Sequence, residues 1–428
     1  MSLLPLKLIA TPCLLGLALT ALVQSVHAQS TPLTPRQSDE HFARALNLRE
    51  DGDLEQSIDE LEKLLAADST LDRARLELAV SHFRSLNFDQ ARALATEVLD
   101  RPTTPESVKV TIRQFLTEVD KESRPHVFTP FVNVGVMHDS NVNAGPSRDV
   151  IDINGIKFNL NGKDVKTSDT GYITMAGVAH RYLFPNKVSF GKSNLTMLWQ
   201  SQASYYRTTY DTARTYDLDV ISLSTGPALL ASNKWRLVMP YQFSDIYLGG
   251  SHLATFNGIN PTWIANAGGW EFSVDAQWQK RNYIQSDNNG RDSIFTSVGG
   301  ALGRNFLGQK LTANVAAHAF EERATTKRFA NRGEEYVATV TTRPWSGGEI
   351  MLRGSHREAR YQGEEIMYGF ARRDEENRYT LSVGHTFSTG PMEKWTVALV
   401  GSSVHNSSNI SIYDYRRKQI SANLSRSF

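Results

Sequence analysis

The sequence contains a single cysteine, Cys13, and neither tryptophan nor tyrosine before Tyr172. Cys13 lies inside an apolar stretch near the N-terminus, and no small-residue cleavage pattern precedes it. A disulfide framework is therefore excluded, and a lipid anchor on the mature chain is not expected. After that stretch no apolar run is long enough for a membrane helix. Membrane strands remain compatible with the sequence, because only every second residue of such a strand faces lipid.

Residues 1–28 have the pattern of a secretory signal peptide. Lys7 is followed by an apolar run from Leu8 to Val23, and Val26 and Ala28 place small residues at the expected peptidase positions. We expect cleavage after Ala28. Lys7 is the only charged residue of this segment, so the net charge of +1 becomes 1 − 1 = 0 in the mature chain. This balance gives no support to a nucleic-acid partner.

Residues 29–124 are predicted to form a short helical domain in the periplasm. The segment from Gly52 to Ser57 aligns with the segment from Leu86 to Ala91, and the offset of 91 − 57 = 34 residues is the tetratricopeptide period. Small residues, Ala45 and Ala79, occupy equivalent positions in the two units. The alternative is an unrelated helical hairpin. In either case a third helical segment, from Pro105 to about Glu122, is expected to cover the apolar face that two repeats leave open.

Residues 125–428 change to a period of two, which is typical of membrane β-strands. In the run from Glu335 to Arg343, for example, Tyr336, Ala338 and Val340 alternate with polar residues. A soluble sandwich has the same alternation. Turn lengths favour a barrel, since short links such as Ser232-Asn233, Ala267-Gly268-Gly269, Leu307-Gly308 and Ser346-Gly347 alternate with longer ones, from 283 to 292, 321 to 333 and 357 to 373.

Aromatic residues are expected to form two girdles around this barrel. Tryptophans border the short links (Trp235, Trp263, Trp270, Trp345, Trp395), whereas tyrosines border the long ones (Tyr206, Tyr247, Tyr283, Tyr413). About fourteen strands are predicted, an even number that returns the chain to the side where it entered. The last run places Leu424 and Phe428 on one face and ends on an aromatic, which resembles the insertion signal that the barrel assembly machinery reads.

No pattern in the sequence predicts enzymatic chemistry, a cofactor or a transition-metal site. The eleven histidines are dispersed, and neither a nucleophile elbow nor a complete phosphate-binding loop is present. Asp139, Asn141 and Asn143 could supply oxygen ligands to calcium, but their spacing lacks the rest of a calcium loop. Their simplest interpretation is a loop that ends the first strand, since Asx side chains bond their own backbone and favour turns.

Two short motifs, at the two ends of the predicted barrel, resemble those of the surface lipoprotein assembly modulators, the Slam proteins. The first is Asp139-Ser140-Asn141-Val142-Asn143 at the end of the first strand. The second is Tyr413-Asp414-Tyr415-Arg416-Arg417, which opens the last strand. The candidate site residues taken from this resemblance are Asp139, Ser140, Asn141, Asn143, Tyr413, Asp414, Tyr415 and Arg416, together with Leu424 and Phe428 of the insertion signal.

The resemblance implies a translocator in the outer membrane of a Gram-negative bacterium. Its client would be a surface lipoprotein or a soluble secreted protein that passes from the periplasm to the cell surface. Outer-membrane lipid, the barrel assembly machinery and periplasmic chaperones are the other partners implied. Concave repeat surfaces favour extended peptides, and a client groove is predicted at Phe42, Arg49, Arg73 and Phe83.

Two other functions fit the same domain order. A polysaccharide exporter also joins periplasmic tetratricopeptide repeats to a barrel, although such proteins usually carry far longer repeat arrays. A nutrient porin would use the helices only to plug or support the barrel, and its lumen of Ser, Thr, Arg and Glu would pass small solutes.

Overall fold

The computed structural model describes residues 34–428, apart from 51–52, 154, 161–164, 191–192, 232–234, 286–287 and 308–309. The predicted signal peptide, residues 1–28, lies outside this part of the chain. So do the predicted short link Ser232-Asn233 and half of the link Leu307-Gly308. In the described part, α-helices come first and a closed antiparallel β-barrel follows.

Five α-helices occupy the described residues before the barrel: α1 (Pro35–Glu50), α2 (Leu54–Ala67), α3 (Asp72–Arg84), α4 (Phe88–Leu99) and α5 (Glu106–Glu122). Local signals set their bounds. Asp53 caps α2 by accepting a hydrogen bond from the backbone N–H of Gln56 at 3.2 Å. Leu86, with a φ of 59°, turns the chain between α3 and α4. Within the described ranges, no helix combines the length and hydropathy needed to cross a membrane.

Each helix packs mainly on its sequence neighbours, so the core is a series of small apolar clusters. Ala45 and Leu61 belong to the first cluster, and Ala79 and Val98 belong to the second; all four are buried. The alanines let neighbouring helices approach closely. The helix α5 coincides with the predicted third helical segment and covers the second cluster through Ile112. The tetratricopeptide interpretation itself stays a prediction.

The barrel has fourteen strands, as predicted. Three of them are interrupted and continue after a break. The strands are β1 (His126–Asp139), β2 (Asp169–Leu183 and Val188–Phe190), β3 (Ser193–Tyr210), β4 (Leu218–Ala231), β5 (Trp235–Val238 and Tyr241–Leu248), β6 (Ser251–Ile259 and Thr262–Ala267), β7 (Trp270–Tyr283), β8 (Ser293–Phe306), β9 (Leu311–Ala324), β10 (Asn331–Thr342), β11 (Gly348–Glu364), β12 (Ala371–Thr386), β13 (Trp395–Ser408) and β14 (Tyr415–Ser427).

The barrel closes where β1 pairs with β14, in a register that runs from Phe131 opposite Ser427 to Asp139 opposite Gln419. We call this pairing the seam. All neighbouring strands are antiparallel. Closure gives every strand two partners, so no unpaired edge faces lipid, which a membrane-spanning sheet requires.

Alternate side chains face the outside and the lumen, and their chemistry differs. On the outer face large apolar residues stay exposed, among them Val134 and Val136 of β1, Phe272 and Val274 of β7 and Leu399 of β13. Such a continuous exposed band fits hydrocarbon better than water. The barrel is therefore built to span a membrane. The alternation predicted for β10 is confirmed, since Tyr336, Ala338 and Val340 point outward.

The two ends of the barrel differ. The helices and Phe428 lie at one end, which we call the helix end. The opposite end, which we call the loop end, carries the longest connection, residues 140–168, with a short hairpin (Val150–Ile153 and Ile156–Asn159) inside it. The predicted link between residues 267 and 269 is a turn at Gly268 and Gly269 of the helix end, where both glycines have positive φ.

Two details of the sequence-based prediction are wrong. The links predicted from 321 to 333 and from 357 to 373 are mostly strand, because charged residues continue the strands beyond the apolar band. Tyr206 and Tyr283 do not belong to an outer girdle, because the strand register places both on the lumen face. Tyr206 lies on the same face as Asn133, and Tyr283 is directly opposite Ala254. A shift of one residue moves a side chain from one face to the other, and sequence alone did not determine it.

The helical region is attached to β2 at the helix end. The Arg181 side chain pairs with the Glu122 carboxylate at 3.0 Å and donates to the Glu122 carbonyl at 2.7 Å. Leu183 packs against Phe88 and its neighbours in a third apolar cluster. Nearby, burial lowers the pKa of His82, and the positive charge of Lys187 lowers it further. The last helix thus ends beside the lumen opening.

Candidate functional site

The two motifs that carry the Slam resemblance lie side by side at the loop end of the seam. The first motif, residues 139–143, follows β1. The second, residues 413–417, leads into β14. Asp139 is directly opposite Gln419 in the register. Residues separated by 278 positions in sequence therefore form one structural unit.

Asp139 is the centre of this unit and is fully buried. Its carboxylate oxygens accept hydrogen bonds from the Arg417 Nε at 3.1 and 2.9 Å, and Arg417 Nη2 makes a further short contact. Gln419 Nε2 donates at 2.8 Å, the Asn141 backbone N–H at 2.9 Å and the Tyr210 hydroxyl at 3.2 Å. The carboxylate is saturated, and the charge of Arg417 compensates its own.

Arg417, rather than Arg416, is the residue of the second motif whose side chain contacts the first motif. Arg416 was selected as a site residue from the sequence, but its side chain is exposed on the outer face and only its backbone carbonyl takes part, by accepting from Asn141 Nδ2 at 3.0 Å. Tyr210 and Gln419 were not foreseen. The period of two could have indicated Gln419, because it lies on the same lumen face of β14 as Arg417. Tyr210, on β3, had no such signal.

Asn141 and Asn143 fold the start of the first loop, residues 140–168, back on itself. Asn141 Nδ2 donates to the Gly145 carbonyl at 2.8 Å, and the Gly145 N–H donates to Asn141 Oδ1 at 2.9 Å. Asn143 Nδ2 donates to the Val165 carbonyl at 2.8 Å, and the Thr167 N–H donates to Asn143 Oδ1 at 3.0 Å. These amide oxygens are occupied by backbone donors, so they serve the loop and not a cation.

Backbone bonds tie the first loop to the second motif. The Ser140 N–H donates to the Lys418 carbonyl at 2.9 Å, and the Lys418 N–H donates to Ser140 Oγ at 2.7 Å. Farther along, the Ser147 N–H donates to the Asp414 carbonyl at 2.8 Å. Ser140 and Asp414, both selected from the sequence, therefore hold the loop in place.

The start of the first loop lies inside the mouth of the barrel. Val142 is buried against the lumen-facing side chains of Met137 and Tyr210. Ala144 reaches a cavity of ≈ 270 Å³ whose wall includes Arg357 of β11 and Asp374 of β12. The start of the loop thus lies between the lumen faces of β3 and β11. A segment in this position narrows or closes the opening at the loop end.

Tyr413 and Tyr415 line the same cavity, where they surround charged groups. The Arg372 guanidinium lies between the rings of Tyr361 and Tyr413, 3.9 Å from each centroid. Burial raises the pKa of the Tyr413 hydroxyl, and the negative charge of Glu365, 3.1 Å away, raises it further. Tyr415 donates to Glu376 at 3.2 Å. Stacked aromatics and charge-assisted bonds make this part of the mouth rigid.

The lumen below the mouth carries charges of both signs. Arg281 pairs with Glu322 at 3.0 Å, and His318 contacts Asp275 at 3.1 Å. Ser, Thr and Asn side chains occupy many of the remaining lumen positions. No group of three or more His, Cys, Asp or Glu side chains suited to a metal ion occurs in the described part of the chain. The lumen is therefore polar, and these charges are paired with charges of the opposite sign.

Leu424 and Phe428, the residues of the predicted insertion signal, lie on the outer face of β14. Leu424 is opposite Val134 of β1 and Val397 of β13. Phe428 is exposed, its N–H donates to the Pro130 carbonyl at 2.9 Å, and the Arg426 guanidinium lies 4.8 Å from its ring centroid. Both side chains are placed to contact lipid. Their role in insertion stays a prediction.

The four residues of the predicted client groove are engaged in contacts between helices. The Arg73 guanidinium lies 4.8 Å from the Phe42 ring centroid. Arg49 pairs with Glu77 at 2.6 Å. The Phe83 ring packs edge-on against Phe88 and Phe115. Phe42 and Phe83 are both partly buried against the apolar clusters, whereas Arg73 is exposed. Client binding by these residues stays a prediction.

No model of a known protein family matches the chain, and no curated protein matches it. Solved structures with a similar fold include Pseudomonas aeruginosa OccK1 (OpdK), with 8% sequence identity and a TM-score of 0.35 over 70% of this chain and 98% of that one. Pseudomonas aeruginosa OpdQ has 7% identity and a TM-score of 0.34 over 71% and 97%. Acinetobacter baumannii OccAB4 has 5% and 0.34 over 70% and 98%. At these TM-scores the likeness carries no argument about this chain.

Proposed function

We propose that the protein is a Slam-like translocator of the Gram-negative outer membrane, which moves a surface lipoprotein or a soluble secreted protein from the periplasm to the cell surface. In this proposal the helix end faces the periplasm and the loop end faces the exterior. The client enters beside α5 and leaves through the mouth that the first loop covers. Barrel assembly machinery and periplasmic chaperones are its expected partners.

The observation that carries the proposal is the union of the two motifs. Each motif is short and weak by itself, but Asp139 of the first and Arg417 of the second form one buried ion pair. The pair joins the first strand to the last and anchors the loop that lies in the mouth. A loop that narrows the mouth at rest suits a secretion channel, because a wide, permanently open one would leak periplasmic contents.

The helical region supplies the second support. An ordinary solute channel needs no folded region at its periplasmic opening, whereas a translocator must collect its client there. Here the helices are attached by Arg181 and Leu183 of β2, directly beside the opening. Packed helix pairs with partly exposed side chains such as Phe42 and Arg73 provide a surface for an extended segment.

A solute porin is the second candidate, and the lumen favours it. Paired charges such as Arg281 and Glu322 and a cavity at the mouth could orient small polar solutes. An inward-folded loop is also compatible with a porin, because such loops narrow the pore of channels that conduct permanently. The two functions differ in what they move, so a transport experiment separates them.

The test is a gene deletion, followed by comparison of the protease-accessible proteins on intact cells and the proteins released to the medium with those of the complemented strain. Loss of one surface or secreted protein, with accumulation of that protein in the periplasm, supports the translocator and identifies the client. A second complementation, with residues 29–124 removed, should insert a barrel but not restore display. An unchanged exterior together with reduced uptake of small solutes would establish the porin and refute the translocator.

A further inference from the structure

The cavity at the loop end, between the first loop and the barrel wall, carries charges of both signs. We call it the mouth cavity. Its volume is ≈ 270 Å³, and its wall includes Arg357 and Arg372 as well as Asp374 and Glu376. This volume lies just below the range of about 300–1,000 Å³ that is usual for the pockets of drug-sized ligands. The mouth cavity therefore suits a smaller molecule.

Three of these four charged groups have partners within the protein. Asp374 pairs with Arg372 at 3.0 Å. Glu376 Oε1 pairs with Arg378 at 3.0 Å, but the Arg378 side chain keeps 50% exposure, so water screens this pair. Among the described residues, Glu376 Oε2 accepts only one hydrogen bond, from the Tyr415 hydroxyl at 3.2 Å. Because a carboxylate oxygen has two lone pairs, Glu376 can accept a further hydrogen bond.

Arg357 is the fourth charged group of the mouth cavity. It is directly opposite Glu335 of β10 and Glu376 of β12, yet within the described part of the chain it forms an ion pair with neither. Its guanidinium lies 4.2 Å from the centroid of the Phe320 ring, and its Nε is buried without a hydrogen-bond acceptor. Leaving guanidinium donors unused in a largely covered position costs free energy. This side of the cavity is therefore suited to an anionic group.

The mixed charges of the cavity disfavour a ligand with one sign of charge. An anion bound to Arg357 would lie close to the carboxylates of Asp374 and Glu376, and a cation bound to Glu376 would lie close to the guanidinium groups, so each would be repelled. A molecule with one positive and one negative group can place each of them against the opposite charge. Ala359 and Ile412 supply apolar surface to the rest of such a molecule.

We propose that the mouth cavity binds a zwitterionic α-amino acid. Arg357 donates to its carboxylate, Glu376 Oε2 accepts a hydrogen bond from its ammonium group, and its apolar side chain lies against Ala359 and Ile412. Ala144 of the first loop belongs to the same cavity wall. A bound amino acid therefore fills the gap between this loop and the strands β11 and β12, and it holds the loop in the mouth. The inference does not depend on any client, so amino-acid binding and client display can fail separately.

The test measures binding of L-leucine and L-alanine to the purified full-length protein in nonionic detergent by isothermal titration calorimetry. Two analogues of leucine separate its charges: 4-methylpentanoate lacks the ammonium group, and 3-methylbutylamine lacks the carboxylate. Each should bind at least about 10-fold more weakly than leucine, because each leaves one charged group of the cavity without its hydrogen bond. An analogue that binds as tightly as leucine would show a site for a simple ion and overturn the proposal. Binding of neither amino acid at millimolar concentration would overturn it as well.

Arg357→Gln should weaken leucine binding at least about 10-fold, whereas Arg357→Lys, which keeps the charge, should bind leucine more tightly than Arg357→Gln. The matched control is Arg353→Gln, on the same strand and the same lumen face but outside the mouth cavity. It should change the affinity by less than about 3-fold, since four residues of strand, about 13 Å, exceed the screening length of about 8 Å. Heat-modifiable migration in gels verifies that each variant is folded. Unchanged binding in Arg357→Gln, or equal weakening in Arg353→Gln, would refute the site.

Discussion

Asp139→Asn tests the buried ion pair that joins the two ends of the barrel. The substitution keeps the size of the side chain but leaves the Arg417 charge without its partner. Removing one member of a buried pair costs about 3–5 kcal/mol. Because the Arg417 side chain keeps 27% exposure to solvent, we expect the lower end of this range, about 3 kcal/mol in the free energy of unfolding.

A double-mutant cycle separates the pair from its surroundings. Arg417→Gln alone should also destabilise the barrel, since it leaves the Asp139 carboxylate buried without a cation. The double variant Asp139→Asn/Arg417→Gln removes both charges and should recover most of the loss, to within about 1–2 kcal/mol of the parent. Urea unfolding of the barrel in lipid vesicles, followed by heat-modifiable gel migration, measures these differences.

Asp292→Asn is the matched control. Asp292 also lies at the loop end, and its carboxylate accepts a hydrogen bond from the Tyr283 N–H at 2.7 Å, but among the described residues it pairs with no cation. We expect less than about 1.5 kcal/mol for this change. The reasoning is refuted if Asp139→Asn destabilises no more than Asp292→Asn, or if the double variant loses the sum of the two single losses.

Three further predictions concern the loop, the helices and the last strand. Asn141→Ala removes the side chain that bonds Gly145 and should release the first loop, raising single-channel conductance in planar bilayers; Asn409→Ala, at the base of another loop, should leave conductance unchanged. His82 has a lowered pKa in the folded state, so stability should fall as the pH drops below the unfolded value of about 6.5 toward the folded one; His82→Gln should remove this slope in thermal melts followed by helical circular dichroism. Phe428→Asp should reduce the amount of barrel in the outer membrane, as quantitative blotting of membrane fractions will show; normal levels would contradict the insertion role.

Once turn lengths had favoured a barrel, the period of two predicted which residues of β10 face lipid. Tyr336, Ala338 and Val340 were assigned to the outer face of β10 from sequence, and they lie there. The reason is geometric: consecutive side chains of a strand point to opposite faces, so the assignment needs only local information. The small residues Ala45 and Ala79 of the helices were recognisable for a similar reason, because only a small side chain fits where helices touch.

The contacts at the seam could not be predicted in the same way. Asp139 was selected as part of a motif, yet its partner is Arg417 and not the selected Arg416, because the face of β14 depends on pairing with β1. Tyr206 and Tyr283 were placed on the outer face because the pairing of their strands could not be read from the sequence either. Long-range register decides these positions, and a single sequence does not contain it in readable form.

Closure of the barrel and the position of the first loop are coupled in this structure. The first loop starts at Ser140, whose backbone and hydroxyl bond to Lys418 of the last strand. Asn141, the residue that folds the loop inward, bonds to the Arg416 carbonyl of the same strand. These partners come into place only when β14 joins β1. This pairing joins the two strands that are farthest apart in sequence, which makes it the slowest strand pairing to form. A barrel with an open seam would therefore lack these contacts, so the start of the first loop is held in the mouth only when the seam is closed.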